Sequence, residues 1–279
     1  MIDLHTHSTC SDGTYTPSQL IDKAVEMGLK ALALTDHDTL KGLKEARERA
    51  KGNLIFINGV EVSIEWKKGE CHLLGLGVRE DSDELNSLLV DLEKSREKRA
   101  EDIAQKLNDA GFDIDYEALS KTRGGTVGRP HFASYMKEHG IVKTLQEAFD
   151  KYLSIGKPFY VEKKNVELKD AIRAVKNAGG LPILAHPMSL YRSWSALPSI
   201  IQSFKDIGLV GLEAWHPGTK YNNCVRLEKL AKELSLIITA GSDFHGERRA
   251  DRHLGRTCDD IIIEDFYLDN LKEAIINSN

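Results

Sequence analysis

Short apolar runs alternate with longer amphipathic segments along most of the chain. The short runs are bounded by glycine or polar residues, whereas the longer segments repeat apolar residues every three or four positions, as one face of a helix does. The short runs predict strands at residues 2–4, 31–35, 54–63, 72–77, 182–185, 210–214 and 237–240. The amphipathic segments predict helices at residues 17–27, 39–50, 167–177, 195–204 and 224–234. Repeated strand–helix units favour a mostly parallel sheet, either open and doubly wound or closed into a barrel.

Residues 82–152 depart from this alternation. The stretch DELNSLLVDLEKSREKRAEDIAQKLNDAG predicts one long amphipathic helix that ends at Gly111, and further helical segments follow without a strand pattern. Its charged positions are typical of a solvated helix face with i,i+4 pairs. We therefore expect a helical insertion at residues 82–152 within a discontinuous α/β domain formed by residues 1–81 and 153–279.

The composition narrows the class of protein. The chain has 279 residues, of which 41% are hydrophobic and 29% charged, with a formal net charge of −5, as in many globular proteins. This charge does not favour stable binding of duplex nucleic acid, but bound metals or a local basic loop would still admit an anionic substrate. The apolar opening gives way at once to His-Thr-His-Ser, and no apolar run reaches about 18 residues, so we expect neither a secretion signal nor a membrane span. The four cysteines form no CxxC pair. We expect a cytoplasmic protein that does not bind membranes.

Histidines and carboxylates recur where the predicted strands end. In the opening stretch MIDLHTHSTCSDG, His5 and His7 point to the same face of a strand, and Asp12 follows in a turn. One polar residue at such a position is usually a cap, but the same feature recurs in successive units, and the ends of barrel strands converge on one opening. The candidates are His5, His7, Asp12, His37, Glu61, His72, His186, Asp243 and His245.

These residue types favour divalent metals as cofactors. Imidazoles and carboxylates without thiolates suit Mn²⁺, Fe²⁺ or Zn²⁺, and nine ligands are too many for one ion but suit two or three. Clustered ions of this kind ionise a bridging water and stabilise an in-line displacement at phosphorus.

The motifs that carry these residues resemble those of the PHP (polymerase and histidinol phosphatase) superfamily. They are HTHS…D, TDHD, GVEVS, ECHLLGLG, AHP and GSDFHG. The resemblance implies an α/β fold of the distorted (β/α)₇ barrel type and a trinuclear metal centre. Among the ions that suit these ligands, we expect Mn²⁺ first.

The same resemblance distributes the ligands among three ions. It assigns His5, His7, Glu61 and Asp243 to the first ion. It has Glu61 bridge to a second ion held by His72 and His186, and it assigns Asp12, His37 and His245 to the third. Every ligand position is filled, which favours an enzyme over a noncatalytic metal- or nucleotide-binding module.

The insertion contains a second candidate site. TRGGTVGRPHFASYM is a glycine-rich loop that runs into a helix near Pro130, where backbone N–H groups with Arg123 and Arg129 would cradle a phosphate. A glycine-rich loop with incidental arginines is the simpler alternative. GRPHFA and the later GKPFYVEK resemble the bacterial 3′,5′-nucleotide bisphosphatase and 5′→3′ oligoribonuclease branch. That resemblance implies phosphate binding by Arg129 and His131, with help from Lys157.

We therefore expect a metal-dependent phosphoesterase in which a metal-bridged hydroxide attacks phosphorus. The expected substrates are the 3′-phosphate of 3′,5′-bisphosphonucleotides, short 5′-phosphorylated RNA, or both. Histidinol-phosphate phosphatase, or another small phosphomonoester hydrolase, is the alternative enzyme. The remaining pocket candidates are His216, Arg248, Arg252 and His253, each with a structural role as the alternative.

Overall fold

Seven strands form one sheet in which they lie in chain order. In the computed structural model, which describes residues 1–123, 127–162 and 165–278, the strands are β1 (Ile2–Thr6), β2 (Ala31–Leu34), β3 (Ile55–Ile64), β4 (Cys71–Leu76), β5 (Leu181–Leu184), β6 (Gly211–Trp215) and β7 (Ile237–Ala240). The sheet curls so that the end of β1 reaches the segment after β7, where the His7 N–H donates to the Phe244 carbonyl at 2.9 Å. This is the expected distorted (β/α)₇ barrel.

The direction of β4 differs from the mostly parallel sheet that the sequence predicts. β3 pairs with β4, and β4 with β5, in antiparallel fashion, while the other four pairings are parallel. The cause is the short connection 65–70, because a parallel pairing needs a crossover of a dozen or more residues. The reversal places His72, near the start of β4, opposite Ser63, near the end of β3. His72 therefore reaches the sheet edge at which the parallel strands end.

Helices cover the sheet and contribute the rest of its core. Those of the larger unit are α1 (Pro17–Glu26), α2 (Leu43–Ala50), α7 (Leu168–Asn177), α8 (Leu197–Asp206), α9 (Tyr221–Glu233) and α10 (Phe266–Ser278). Thr16 caps α1 as expected: its hydroxyl accepts from the Gln19 N–H, and the Gln19 side chain accepts from the Thr16 N–H. Leu268 and Leu271 of α10, a helix that the sequence pattern did not reveal, are buried in the same hydrophobic cluster as Ile2 and Leu4 of β1.

A second unit, residues 91–165, has its own hydrophobic core. The helices in this part of the chain are α3 (Asp83–Asp109), α4 (Tyr116–Arg123), α5 (Arg129–Glu138) and α6 (Leu145–Ala148), followed by a π-helical turn at Phe149–Leu153. The chain divides into Met1–Val90 with the residues from Val166 onward, and Asp91–Asn165, rather than at the expected 82 and 152. The long helix forms as predicted, but its first turns belong to the larger unit. No helix in the described ranges is long and apolar enough to cross a membrane.

Three buried aspartates fix the loops at the sheet edge. Each carboxylate accepts from both the backbone N–H and the hydroxyl of one serine, with backbone distances of 3.0, 2.8 and 2.7 Å for the pairs Asp3–Ser242, Asp36–Ser8 and Asp38–Ser63. We call these pairs the Asp–Ser clamps. Because each pair joins segments that are far apart in sequence, the clamps hold the loops that carry the histidines in fixed positions.

We expect Asp3→Asn to lower the free energy of unfolding of the metal-free protein by about 1–3 kcal/mol, measured by urea denaturation. Asp3 Oδ1 accepts from the Ser242 N–H, and Oδ2 accepts from the Gly255 N–H at 2.8 Å. Asparagine has a single acceptor oxygen, so its NH₂ group must face one of these two donors. Asp206→Asn is the control, since Asp206 is exposed and accepts from the Gln202 amide. An equal loss of unfolding free energy in the two variants would contradict the role of Asp3 as a clamp.

Candidate metal centre

The structure brings together all nine side chains that the strand-end pattern singled out. They come from six of the seven strands or the loops that follow them, namely His5 (β1), His7 and Asp12 (after β1), His37 (after β2), Glu61 (β3), His72 (β4), His186 (after β5), and Asp243 and His245 (after β7). The donor atoms of eight of them fall into three overlapping groups within 4.8 Å, and the ninth residue, His186, lies beside Glu61. The groups are His5–His7–Glu61–Asp243, His7–Asp12–His37–His245 and His37–Glu61–His72.

Glu61 lies at the centre of the cluster and is fully buried. Its Oε2 atom lies 3.4 Å from His5 Nε2, 3.3 Å from His7 Nε2 and 2.9 Å from His37 Nδ1. On this side the carboxylate faces three imidazoles at once.

The second oxygen of Glu61 faces a different pair of imidazoles. Glu61 Oε1 lies 2.9 Å from both His72 Nδ1 and His186 Nε2. These two ring nitrogens are 3.4 Å apart. One carboxylate therefore serves two separate imidazole sets, as a carboxylate that bridges two ions would.

Asp243 and Asp12 complete the donor set. Asp243 Oδ1 lies 3.4 Å from His5 Nε2 and 3.1 Å from His7 Nε2. Asp12 Oδ1 lies 3.2 Å from His245 Nε2, on the other side of His7. His37 approaches both Glu61 and Asp12, the latter at 3.9 Å, so the structure places it between two of the groups.

Unpaired donor atoms show that the cluster fits metal ions. Within the described part of the chain, His5 Nε2, His7 Nε2, His37 Nδ1 and Glu61 Oε2 are buried atoms without a hydrogen-bond partner. Such atoms are rare because they forfeit hydration without compensation. All four face the same small volume, where one or more cations would satisfy them. The nitrogen and oxygen donors, with no thiolate, suit a divalent ion such as Mn²⁺, Fe²⁺ or Zn²⁺.

The protonation states also suit cations. Burial by itself would raise the pKa of Glu61, but the surrounding imidazoles, His37 first, hold it well below its usual value. Burial lowers the pKa of His37 to about 4, which leaves that ring neutral at pH 7. Burial alone would likewise lower the pKa of His5, yet the Glu213 and Glu61 carboxylates raise it to about 10. Ionised carboxylates thus favour positive charge here, and a metal ion that binds His5 Nε2 would take the place of the proton on that nitrogen.

Glu213, Arg252 and His216 lie around the donor set. Glu213, in β6, accepts from His5 Nδ1 at 2.8 Å, and sequence reasoning missed it. The only signal was a carboxylate within the otherwise apolar stretch GLEAW. Asp243 Oδ2 is bound by Arg252 and lies 3.2 Å from His216 Nε2, so both of these candidates lie beside the cluster.

Two further pocket candidates have other partners. The Arg248 guanidinium donates to the backbone carbonyl of Asp12. His253 is exposed, with its Nδ1 atom 3.4 Å from Asp260 Oδ1.

The predicted substrate-binding residues belong to the smaller unit. His131 is buried, and its Nδ1 accepts from the Gly128 N–H at 2.8 Å, which caps the start of α5. Arg129 lies over the Tyr160 ring at 5.8 Å, and Lys157 is exposed. The Arg123 side chain and residues 124–126 of the glycine-rich loop lie outside the described residues.

Comparison with known proteins agrees with this geometry. The family model of the PHP domain matches residues 3–166, more than half of the chain. The chain belongs to the PHP domain family. The superfamily resemblance drawn from the motifs is thereby confirmed.

Three relatives extend the comparison over most of the chain. A protein of Haemophilus influenzae named 5′-3′ exoribonuclease is 36% identical over 244 residues, covering 87% of this chain and 89% of that protein. A 3′,5′-nucleoside bisphosphate phosphatase of Chromobacterium violaceum is 33% identical over 261 residues, covering 92% of each chain. A phosphoribosyl 1,2-cyclic phosphate 1,2-diphosphodiesterase of Eggerthella lenta is 33% identical, covering 91% and 97%. All three names denote hydrolases of phosphate esters, and this PHP chain is likewise a phosphoesterase.

Solved structures show the same fold. A Chromobacterium violaceum protein described as an amidohydrolase, solved with sulfate and without metal, has a TM-score of 0.87 at 32% identity and covers 98% of this chain and 96% of its own. A Bifidobacterium adolescentis protein described as a candidate metal-dependent phosphoesterase has a TM-score of 0.86 at 28% identity, covering 97% and 94%.

We expect Glu61→Gln to lose at least one bound ion per chain and to reduce activity at least 100-fold, since even residues that only orient metal ligands are worth about 10- to 100-fold. Glutamine removes the charge and turns an NH₂ group toward imidazoles. Metal content after dialysis against Mn²⁺ is the measurement, with exposed Glu233→Gln as the control. A Glu61→Gln protein with its full metal content would contradict the central place of this carboxylate.

Proposed function

We propose that this PHP phosphoesterase removes the 3′-phosphate from nucleoside 3′,5′-bisphosphates. The observation that carries the proposal is the shared Glu61 carboxylate between two imidazole sets, a donor arrangement suited to multi-ion phosphate chemistry. The choice of substrate is supported by the Chromobacterium violaceum relative, whose name specifies such bisphosphates and which aligns over 92% of both chains.

The nine clustered side chains are the metal ligands in this proposal, with Mn²⁺ as the ion and Fe²⁺ or Zn²⁺ as alternatives. Divalent ions bound there would supply Lewis-acid activation of water and would neutralise charge on the phosphoryl oxygens. Glu61 is shared, with His5, His7 and Asp243 on one side and His72 and His186 on the other. Asp12, His37 and His245 form the third ligand group.

The protein's own part is to hold this donor set rigid. Arg252 and His216 engage Asp243 Oδ2, which leaves Oδ1 directed at His5 and His7. The Asp–Ser clamps fix the loops around it. A preorganised set of this kind loses little free energy to rearrangement when the reaction develops charge.

A bisphosphate requires a second anion site, which we assign to Arg129 and Lys157, with Arg123 and His131 as further candidates. The motifs GRPHFA and GKPFYVEK support this assignment. His131 already accepts from the Gly128 N–H through Nδ1, so its contribution to phosphate binding would come from Nε2.

Short 5′-phosphorylated RNA is a second candidate substrate. The Haemophilus influenzae relative named 5′-3′ exoribonuclease, at 36% identity over 244 residues, favours it. A mononucleotide bisphosphate and the 5′ end of an RNA share a phosphate on each side of one nucleoside, so a single pair of anion sites would accommodate both.

Phosphate release by the Mn²⁺-loaded protein tests the proposal. The panel contains adenosine 3′,5′-bisphosphate, 5′-AMP, 3′-AMP, histidinol phosphate and a phosphoribosyl 1,2-cyclic phosphate, and short 5′-phosphorylated RNA is assayed by its cleavage products. We expect kcat/KM for the bisphosphate to exceed that for either mononucleotide by about tenfold or more, the effect of about 1.4 kcal/mol from a second charged contact. Preference for histidinol phosphate would agree with the proposed metal chemistry but would contradict the proposed substrate. Equal rates throughout would contradict a second anion site.

We expect Arg129→Ala to reduce kcat/KM for adenosine 3′,5′-bisphosphate by about 10- to 100-fold, since a hydrogen bond to a charged group contributes about 1.5–3 kcal/mol. Metal content should be unchanged, and the effect on 5′-AMP should be smaller. Steady-state kinetics and metal analysis are the measurements. Exposed Lys137→Ala, on the same helix, is the control. Unchanged kinetics on every substrate would show that Arg129 does not bind the substrate.

A further inference from the structure

Glu213 is a buried carboxylate outside the sequence motifs and outside the nine clustered residues. It lies in β6 with only 1% of its surface exposed. Its Oε1 atom accepts from His5 Nδ1 at 2.8 Å, and its Oε2 atom accepts from the His186 backbone N–H at 2.7 Å. A single side chain thus contacts two histidines that belong to opposite sides of Glu61.

The contact to His5 determines which ring nitrogen is available. An ionised carboxylate only accepts hydrogen bonds, so His5 Nδ1 must carry the proton. In the neutral ring, Nε2 then presents its lone pair, and Nε2 lies 3.4 Å from both Glu61 Oε2 and Asp243 Oδ1. The same arrangement orients histidine ligands in many metal sites.

The contact to His186 stabilises an unusual backbone conformation. His186 has a φ of 25° and a ψ of 67°. Residues other than glycine adopt such backbone conformations at a cost of about 1–3 kcal/mol. The Glu213 carboxylate binds the N–H of this residue. From this backbone position the His186 ring places Nε2 at 2.9 Å from Glu61 Oε1.

Close packing leaves room for this arrangement only because residue 241 is glycine. A Cβ atom on Gly241 would lie 2.3 Å from His5 Cβ and 2.8 Å from Glu213 Oε1. Both distances are below what real Cβ atoms show, so any larger residue would push the carboxylate and the imidazole apart.

We propose that Glu213 is a positioning residue that sets the orientation of His5 and His186 and thereby couples the two ligand sets joined by Glu61. The inference rests on the metal centre proposed above, but not on the identity of the substrate. The property that Glu213 is expected to change directly is the affinity for metal, and any effect on turnover follows from that.

Glu213→Gln tests the inference because glutamine offers one acceptor oxygen to two donors. If that oxygen binds the His186 N–H, the NH₂ group faces His5 Nδ1 and forces the proton onto Nε2, the atom that should bind metal. If the amide is turned around, the NH₂ group faces the His186 N–H. We expect the affinity for at least one Mn²⁺ to fall by about 10- to 100-fold, measured by calorimetric titration of the metal-depleted protein.

Glu228→Gln is the matched control. Glu228 is half-buried in the neighbouring α9 and accepts from Trp215 Nε1 at 2.7 Å, a contact that a glutamine oxygen preserves. We expect wild-type Mn²⁺ affinity in this variant. Thermal melting of both metal-free variants shows whether either change acts through loss of the fold.

The histidine tautomer gives a readout that a purely structural role would not change. In ¹⁵N-histidine spectra of the Zn²⁺-loaded wild type, with His5 assigned from a His5 variant, we expect a proton on Nδ1 and metal on Nε2. Failure of the wild type to bind metal would contradict the proposed metal centre itself. Wild-type affinity in Glu213→Gln would overturn the role of Glu213 alone. If that variant does not fold, a wild-type His5 without a proton on Nδ1 would overturn it equally.

Discussion

The buried charge of Glu61 is the constraint on which the rest of the structure depends. Transferring an isolated carboxylate from water into a protein interior costs far more free energy than a typical domain has to spare. Here both oxygens face imidazoles, His37 at 2.9 Å on one side and His72 and His186 at 2.9 Å on the other. These contacts alone leave several ring nitrogens unpaired, so the arrangement requires cations to complete it. Stability and chemistry therefore depend on the same group.

Holding so many polar groups in a buried position requires a rigid frame. The Asp–Ser clamps join loops from distant parts of the chain, and Glu213 joins two histidines from different strands. Residues with positive φ lie in the same region: Asp38 at 55°, His186 at 25° and Asp243 at 49°. Strained backbone persists only where its surroundings determine it. The hydrogen bonds of the clamps and of Glu213 hold these backbone conformations in place. This explains why so many buried polar side chains surround one cluster.

The sequence located the nine clustered residues because strand ends converge in a barrel, so their position along the chain implied their proximity. The reversal of β4 was not predicted, although the short connection 65–70 excludes a helical crossover. Glu213 and the clamp aspartates were missed because a carboxylate's partner depends on strand pairing, which periodicity does not reveal. Helix α10 was missed because its apolar face is weakly patterned; burial of Leu268 and Leu271 in the hydrophobic core stabilises it instead.

Anomalous diffraction from crystals soaked in Mn²⁺ would test most directly the claim that Glu61 is shared between ions. We expect one peak among His5, His7, Glu61 and Asp243, and a second on the other side of Glu61, beside His72 and His186. We expect a third peak beside Asp12, His37 and His245. Peaks that leave either oxygen of Glu61 without a metal, or ions bound only elsewhere on the protein, would contradict it.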